Sequence, residues 1–397
     1  MNDLHSPASR IGAIDLLRGL VMVIMALDHT RDFFHADALR YDPTDLSQTN
    51  SFLFFTRWIT HYCAPVFYFL AGTSAYLTGR RRSKKKLAIF LLTRGIWLML
   101  LELTVVHVGW TFNLTLPFFA LATIWALGLA MAALSLLIFL PMPVLLATGV
   151  LIVAGHNLLD GVHVPGTGAG AFIWSVLHDT RFIPEQFTFL GRPMEVAYPV
   201  LPWIGVMALG YCFGTFYRNE VPAATRRKAT LLAGLAALAL FVVLRTLNVY
   251  GDPQPWSPQT TTVFTLLSFL NTTKYPPSLL FLLMTLGPAL LLLRLVDTAS
   301  GRVARAAITI GRVPMFFYLL HIYLIHLLAL FVAVLTGYHW SDMVSQVPFT
   351  PAPRNWGQPL AVVYLVWMLV VALLYPLCRW YERYKSSHRE QWWLSYV

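Results

Sequence analysis

Charged residues are scarce in this chain. Only 12% of its 397 residues are charged, while 57% are hydrophobic and the mean hydropathy is +0.62. Because about one quarter of the residues of a typical soluble domain are charged, these values exclude an ordinary soluble domain. Long apolar runs separated by short polar loops favour membrane-spanning helices over an outer-membrane barrel. The composition therefore predicts an integral membrane protein.

Cysteine and the motifs of soluble enzymes are also rare or missing. The three cysteines, Cys63, Cys212 and Cys378, lie inside apolar segments and form no spacing motif, so we expect neither a disulfide nor a metal site. The absence of a P-loop, a nucleophile elbow, an HExxH motif and a dinucleotide fingerprint in a plausible context excludes the enzyme classes that they mark. We expect no cleavable signal, because the first apolar run begins near Ile11, is too long and contains Arg18.

The formal net charge of +11 arises from basic residues that cluster between apolar segments. We interpret these clusters as cytoplasmic loops that face anionic lipid, and we expect no nucleic-acid partner. About ten segments are long enough to span a bilayer, at residues 13–34, 52–78, 87–108, 117–139, 143–159, 197–217, 229–249, 276–295, 308–335 and 359–378. Basic loops follow the second, sixth, eighth and tenth segments, so the positive-inside rule places both termini in the cytoplasm.

The predicted fold is an all-α polytopic helical bundle that forms one domain over residues 1–397, with the bundle at 10–378 and a cytoplasmic tail at 379–397. We find no convincing internal repeat. The outer loops are rich in aromatic residues, which form either an interfacial aromatic belt or a sugar-binding mouth. Both alternatives stay open for Trp110, Trp174, Trp256, Trp340 and Trp356.

The first apolar segment carries a stripe of polar and methionine side chains. Helical spacing places Asp15, Arg18, Met22, Met25 and His29 on one face, and roughly 21 Å separates the two ends of the stripe. Ionisable groups inside a membrane helix indicate a functional site. The alternative is structural: Asp15 and Arg18 can form an interfacial ion pair, and His29 can be an ordinary hydrogen-bonded polar residue.

Two further segments carry candidate binding residues. In the second segment, Arg57 and His61 share a helical face, and Gly72 within the small-residue run Ala71 to Ser74 predicts close approach of another helix, which we expect to be the first. In the third segment, Arg94 and Glu102 are eight residues apart, so we expect each to face a partner on a different helix.

The ninth segment contains Tyr318 and His321 on one face and His326 five residues further on. Metal ligands on a helix need a spacing of three or four residues and further partners, so the histidine pair does not indicate a metal site. Polar contacts between helices, or the lining of a substrate tunnel, account better for these side chains.

Four motifs together resemble the heparan-α-glucosaminide N-acetyltransferase-like catalytic domain family. They are Ile11 to His29, Cys63 to Leu77, Tyr198 to Gly214 and Gly311 to His326, and the resemblance covers nearly the whole chain. It implies a membrane acyltransferase that moves an acetyl or other acyl group from acyl-CoA at the cytoplasmic side to a sugar amine or hydroxyl across the membrane. It also implies an uncharacterised bacterial member in the inner membrane, with no permanently bound cofactor.

The resemblance further implies a reactive histidine near the outer end of the first helix, as general base or acyl carrier. This role maps best to His29, with His35 as the rival. Asp28 belongs to the candidate catalytic group, but adjacent helical residues point about 100° apart, so another group has to orient His29. The candidate substrate- and donor-binding residues are Asp15, Arg18, Arg57, His61, Arg94, Glu102, Tyr318, His321 and His326.

A transporter or flippase of a small polar or lipid-linked substrate is the alternative function. Arg94, Glu102 and the proline-interrupted segments favour it. A tunnel open to CoA from the cytoplasm would favour the acyltransferase, and a closed midplane cavity between two repeats would favour the transporter. The small-residue face Ala71 to Ser74 would serve a homo-oligomer as well as packing within one chain.

Overall fold

The computed structural model describes residues 12–38, 40–179, 187–349, 353, 355–388 and 390–395. Helices dominate it. In chain order its elements are α1 (Gly12–Phe34), α2 (Ser51–Trp58), α3 (Cys63–Gly79), α4 (Lys84–Leu101), α5 (His107–Thr111), β1 (Phe119–Leu121), α6 (Thr123–Leu137), α7 (Met142–Gly155), α8 (Ala169–Leu177), β2 (Phe187–Phe189), β3 (Arg192–Val196), α9 (Leu201–Phe213), α10 (Ala223–Leu247), α11 (Thr262–Leu270), α12 (Leu279–Leu295), α13 (Arg302–Arg312), α14 (Pro314–Leu335) and α15 (Leu360–Ser387).

Six helical segments in the described part of the chain are long and apolar enough to cross a membrane. They are Lys84–Thr111, Met142–Leu159, Ala223–Leu247, Leu279–Thr298, Pro314–Leu335 and Leu360–Ser387. Two further apolar helices, Thr123–Leu137 and Leu201–Tyr217, are shorter. The chain is therefore a mostly helical membrane protein, as its composition indicated. The count of ten spans and the cytoplasmic position of the termini stay predictions.

Two of the predicted segments are interrupted. The second consists of α2, a 3-10 turn at Ile59–Tyr62 and α3, and the ninth consists of the end of α13 followed by α14. Pro314 occupies the first turn of α14, and Val313 before it has left the helical conformation. Proline has no N–H to donate and its ring restricts the preceding residue, so the helix restarts there.

A small sheet was not expected in an all-α chain. β1 pairs with β3 in parallel, β2 pairs with β3 antiparallel, and Phe119 lies opposite Met194. The predicted fourth span therefore begins with a strand and becomes helical only at Thr123. Strands of three to five residues are too short to give a readable alternation of polar and apolar residues, which explains why the sequence pattern missed them.

Close helix contacts place α1 at the centre of the bundle. A Cβ at Gly19 would lie 1.8 Å from the carbonyl oxygen of Ala307, so only glycine lets α1 approach α13 this closely. Gly72 allows a similar approach, but to α9: a Cβ there would lie 2.0 Å from the Met207 carbonyl oxygen. The prediction that Gly72 faces the first helix was wrong, because helical spacing identifies a small-residue face and does not say which helix packs on it.

Candidate functional site

A central cavity of about 510 Å³ lies along α1. Its wall includes Arg18, Met22, Met25 and His29, which are four of the five residues of the predicted stripe, together with Asp28. The remaining wall is formed chiefly by side chains of α3, α4, α6 and α14. The helical face identified from spacing is therefore the face that borders the cavity.

His29 contacts a second histidine at one end of this cavity. Its Nδ1 atom is 2.7 Å from Nε2 of His321, and the two rings stack with centroids 4.9 Å apart. Nδ1 of His321 is 3.0 Å from the carbonyl oxygen of Phe317. A carbonyl oxygen only accepts, so Nδ1–H of His321 donates to it. In the neutral ring Nε2 of His321 then accepts from Nδ1–H of His29.

This hydrogen-bond order fixes the tautomer of His29. With its proton on Nδ1, the neutral ring keeps a lone pair on Nε2, the atom that would accept a proton or attack a carbonyl carbon. The ring is half-buried and borders the cavity. The group that orients His29 thus comes from α14, and the chain contact joins residues that are 292 positions apart.

Aromatic side chains enclose the same histidine. The ring centroid of Trp110 lies 5.0 Å from that of His29 in an edge-on arrangement, and that of Tyr318 lies 6.1 Å away. Trp110 is only 5% exposed and also stacks on Phe33. It is therefore part of the wall around His29, a position that differs from both a lipid-facing belt and an exposed sugar-binding mouth.

Asp28 is engaged by arginine. Its carboxylate oxygens lie 2.7 Å from Arg31 and 2.6 Å from Arg57, which places three charged groups next to the His29 end of the cavity. The carboxylate has no printed hydrogen bond with the imidazole of His29, in line with their separation around the helix. His61, one turn beyond Arg57, is buried against Phe281.

Arg18 lies at the opposite end of the cavity. Its guanidinium donates to Asp15 at 3.1 Å, to the Gly311 carbonyl oxygen at 3.1 Å and to the Ser74 hydroxyl at 2.8 Å. Arg312 lies 3.4 Å from the other carboxylate oxygen of Asp15. The ion pair expected from the sequence is present, and it extends into a network that joins α1, α3 and α13.

A second, larger cavity opens beside Arg18. Its volume is about 1260 Å³, and we call it the basic cleft, since six arginines line it: Arg18, Arg80, Arg81, Arg82, Arg218 and Arg226. Five of them belong to loops or helix starts that the charge pattern assigns to the cytoplasm. Arg18, Ser74, Thr78 and Arg82 line both the basic cleft and the central cavity, so the two spaces adjoin.

The remaining candidate residues divide into two groups. Arg94 and Tyr318 line the central cavity with His29. Glu102 does not line it: its carboxylate accepts from the backbone N–H groups of Ile124 and Trp125, at 2.6 and 3.2 Å, and so caps the start of α6. His326 lies between backbone carbonyl oxygens, 2.9 Å from that of Gly109 and 2.9 Å from that of Met343.

His35, the rival to His29, follows the end of α1. Its Nδ1 accepts from the backbone N–H of Asp37 at 3.2 Å, and it does not line the central cavity. Burial lowers the pKa of His35, Asp37 opposes this effect and Arg31 adds to it. The imidazole is thus held in its neutral form at a turn that pairs with Gln358.

Sequence reasoning missed two side chains of the cavity wall, Lys274 and Tyr198. Lys274 follows α11 and borders the cavity together with Asp28 and His29. One signal for it was available: it is a lysine in an outer stretch that is otherwise nearly free of basic residues. Tyr198 is packed between the rings of Trp203 and Tyr275, and no spacing rule distinguishes it from the other aromatic residues.

Comparison with known proteins gives one match. The family model described as "Heparan-alpha-glucosaminide N-acetyltransferase, catalytic" matches residues 10–255, which is more than half of the chain. No curated protein matched. The matched part includes His29, Trp110 and the first arginines of the basic cleft, while His321 and the fourth motif, Gly311 to His326, lie beyond it.

Proposed function

The chain belongs to the heparan-alpha-glucosaminide N-acetyltransferase catalytic family, and from this premise we propose that it transfers an acetyl group from acetyl-CoA, bound from the cytoplasm, to a sugar amine or hydroxyl on the outer side. One observation carries the proposal: the basic cleft adjoins the central cavity, and His29 lies at the cavity's far end. Arg18 and His29 are eleven residues apart on one helix, about 16 Å along its axis.

The basic cleft suits the nucleotide part of the donor. Arginine guanidinium groups bind phosphate through several parallel hydrogen bonds, and the cleft offers Arg80, Arg81, Arg82, Arg218 and Arg226 at its rim. The pantetheine arm would then pass Arg18 and run along Met22 and Met25, whose unbranched thioether side chains adapt to a narrow apolar passage. This binding mode delivers the thioester to His29.

Two chemical routes use the free lone pair on Nε2 of His29. In the direct route, Nε2 takes the proton from the acceptor amine or hydroxyl as it attacks the thioester carbonyl carbon, and the CoA thiolate leaves. In the two-step route, Nε2 attacks the carbonyl carbon itself, CoA leaves, and the acceptor then takes the acetyl group from the imidazole. In both routes His321 positions the ring and disperses the positive charge that develops on it.

The acceptor would enter from the outer end, where Trp110, Tyr318 and Lys274 border the cavity beside His29. Flat aromatic rings pack against the faces of sugars, which supports a glycan acceptor over a second lipid. We place the protein in the inner membrane of a bacterium as a single catalytic domain, in contact with lipid. The run Ala71 to Ser74 packs against α9 at Gly72, which leaves less of this face for a homo-oligomer.

The test uses the full chain purified in nanodiscs with radiolabelled acetyl-CoA and a panel of amino sugars and neutral sugars. We expect release of free CoA and labelled sugar from the wild type. His29→Ala should retain acetyl-CoA binding and lose transfer, because the binding arginines remain and the reacting nitrogen is gone. His35→Ala is the matched control and should retain transfer.

Each result bears on the proposal. Transfer by His29→Ala at the wild-type rate would remove His29 from the chemistry, and loss of transfer only in His35→Ala would assign the reaction to the rival histidine. Acetyl-CoA binding without CoA release, accompanied by movement of a solute across the membrane, would replace the acyltransferase with the transporter. Label that stays on the wild-type protein and is absent from His29→Ala would select the two-step route.

A further inference from the structure

A second histidine cluster lies outside the central cavity. His156 and Asp160 stand at the two ends of the turn that follows α7, and His178 directly follows α8. One ligand atom from each of the three side chains lies within 4.8 Å of the others. None of the three residues lines the central cavity or the basic cleft. The cluster is on the predicted outer side, where the loop 160–196 connects two spans.

The histidines of this cluster are buried without adequate hydrogen bonds. His156 is 2% exposed, and neither of its ring nitrogens has a hydrogen-bond partner among the described residues. His178 is also 2% exposed, and its Nδ1 has no partner there. Buried polar groups are nearly always paired, because an unpaired one loses its hydration without compensation. An electron-pair acceptor at this position would satisfy His156.

The carboxylate of the cluster is already oriented by its neighbours. Asp160 Oδ1 is 3.0 Å from Nε2 of His178, and Oδ2 accepts from the side-chain amide of Asn157 at 2.8 Å. The amide oxygen of Asn157 in turn accepts from the backbone N–H of Leu279 at 2.9 Å, at the start of α12. Hydrogen bonds of this kind are the outer shell that holds a metal-binding carboxylate in place.

We propose that His156, Asp160 and His178 bind a zinc ion. Two imidazoles and one carboxylate are a common zinc donor set, whereas calcium and magnesium prefer oxygen ligands. Tetrahedral zinc with bonds of about 2.1 Å needs its ligand atoms about 3.4 Å apart, so small side-chain rotations close the site. Asp160 is partly exposed, which leaves a position for water. The metal would tie the end of α8 to the end of α7.

This site corrects an expectation from the sequence, where no metal spacing was recognised. Its ligands occur at positions 156, 160 and 178, so the first pair has the spacing of four residues that the histidines of α14 lack. The third ligand comes from a separate helix, and only the fold brings it close. The inference does not depend on the proposed transfer reaction, since it concerns different residues and a different readout.

The test uses the full chain carrying a tag without histidine, stripped with a chelator, dialysed against zinc chloride and analysed by mass spectrometry for bound metal. We expect about one equivalent of zinc per chain for the wild type. His156→Ala and His178→Ala should each lose about 100-fold or more in affinity, and Asn157→Ala about tenfold. His163→Ala is the matched control, because His163 is an exposed histidine of the same loop, and it should bind as the wild type does.

Cobalt supplies a readout that does not depend on the variants folding. Wild-type protein loaded with cobalt(II) should show the intense visible absorption bands of a tetrahedral site with nitrogen ligands. Substoichiometric zinc in the wild type, weak octahedral cobalt bands, or unchanged affinity in folded His178→Ala would each overturn the proposal.

Discussion

Two histidines five residues apart on α14 have opposite surroundings. His321 and His326 are 0% and 1% exposed, respectively, so burial does not separate them. One nitrogen of His321 donates to the Phe317 carbonyl oxygen on its own helix, and the other meets His29 beside the cavity. Both nitrogens of His326 instead face backbone carbonyl oxygens, those of Gly109 and Met343, on two other segments.

The difference lies in what each ring leaves available. Because His321 has only one carbonyl neighbour, its second nitrogen is left to fix the tautomer of His29 and to expose a lone pair to the cavity. His326 has no nitrogen left for such a role, and its ring packs flat on Phe112 with centroids 3.8 Å apart. Residue type and burial are the same, so neighbouring acceptors decide which histidine takes part in the site and which fastens loops together.

The largest effect should come from breaking the His29–His321 contact. We expect His321→Leu to lower kcat by about 10²–10⁴-fold, the usual contribution of a positioned general base, with little change in KM for acetyl-CoA. His321→Gln should recover part of the rate, because its amide oxygen can accept from Nδ1–H of His29. Steady-state kinetics and the pH profile of kcat/KM measure both, and an unchanged profile in His321→Leu would contradict the positioning role.

The corresponding change at the second histidine should act on stability. His326→Leu leaves the carbonyl oxygens of Gly109 and Met343 without donors, which costs about 2–4 kcal/mol of unfolding free energy. The folded variant should keep a kcat close to that of the wild type. Unfolding in detergent, followed together with activity of the remaining folded protein, separates the two effects. A folded His326→Leu protein with the kinetic defect of His321→Leu would erase the contrast.

A smaller effect is expected at the cytoplasmic end, where the same contrast between site and framework holds for basic residues. Arg82 lines both cavities, whereas Lys85, three residues later, lines neither. Arg82→Gln should raise KM for acetyl-CoA by about tenfold, the value of one charge-assisted hydrogen bond to phosphate, and leave kcat unchanged. Lys85→Gln is the control. Equal KM values for the two variants would remove Arg82 from donor binding.

The smallest effect concerns His35. Its pKa is lowered in the folded protein, so near its ordinary value of about 6.5 the unfolded chain binds more protons than the folded one. Stability therefore rises with pH through this region and is lost as pH falls towards the folded pKa. His35→Asn should flatten the dependence of Tm on pH between about 6.5 and 5 while transfer activity persists. A steeper dependence in the variant would reverse the assigned sign.

Part of this site could be predicted because it depends on one helix alone. Asp15, Arg18, Met22, Met25 and His29 follow from a period of 3.6 residues, and four of them line the cavity. The same reasoning recognised that Asp28 points away from His29. Glu102 was also expected to face another helix, but its partners are the backbone N–H groups at the start of α6, and side-chain spacing carries no information about such a cap.

The sequence by itself determined the membrane class, the helical content, the basic face towards the cytoplasm and the polar stripe of α1, since each depends on composition or on neighbours within a few turns. Only the tertiary structure decided that His321 orients His29, that Gly72 packs on α9 and that His178 joins His156 and Asp160. These contacts join residues that lie far apart in the chain. Periodicity defines which face of a helix is polar or small, but packing of the whole bundle selects the helix that meets it.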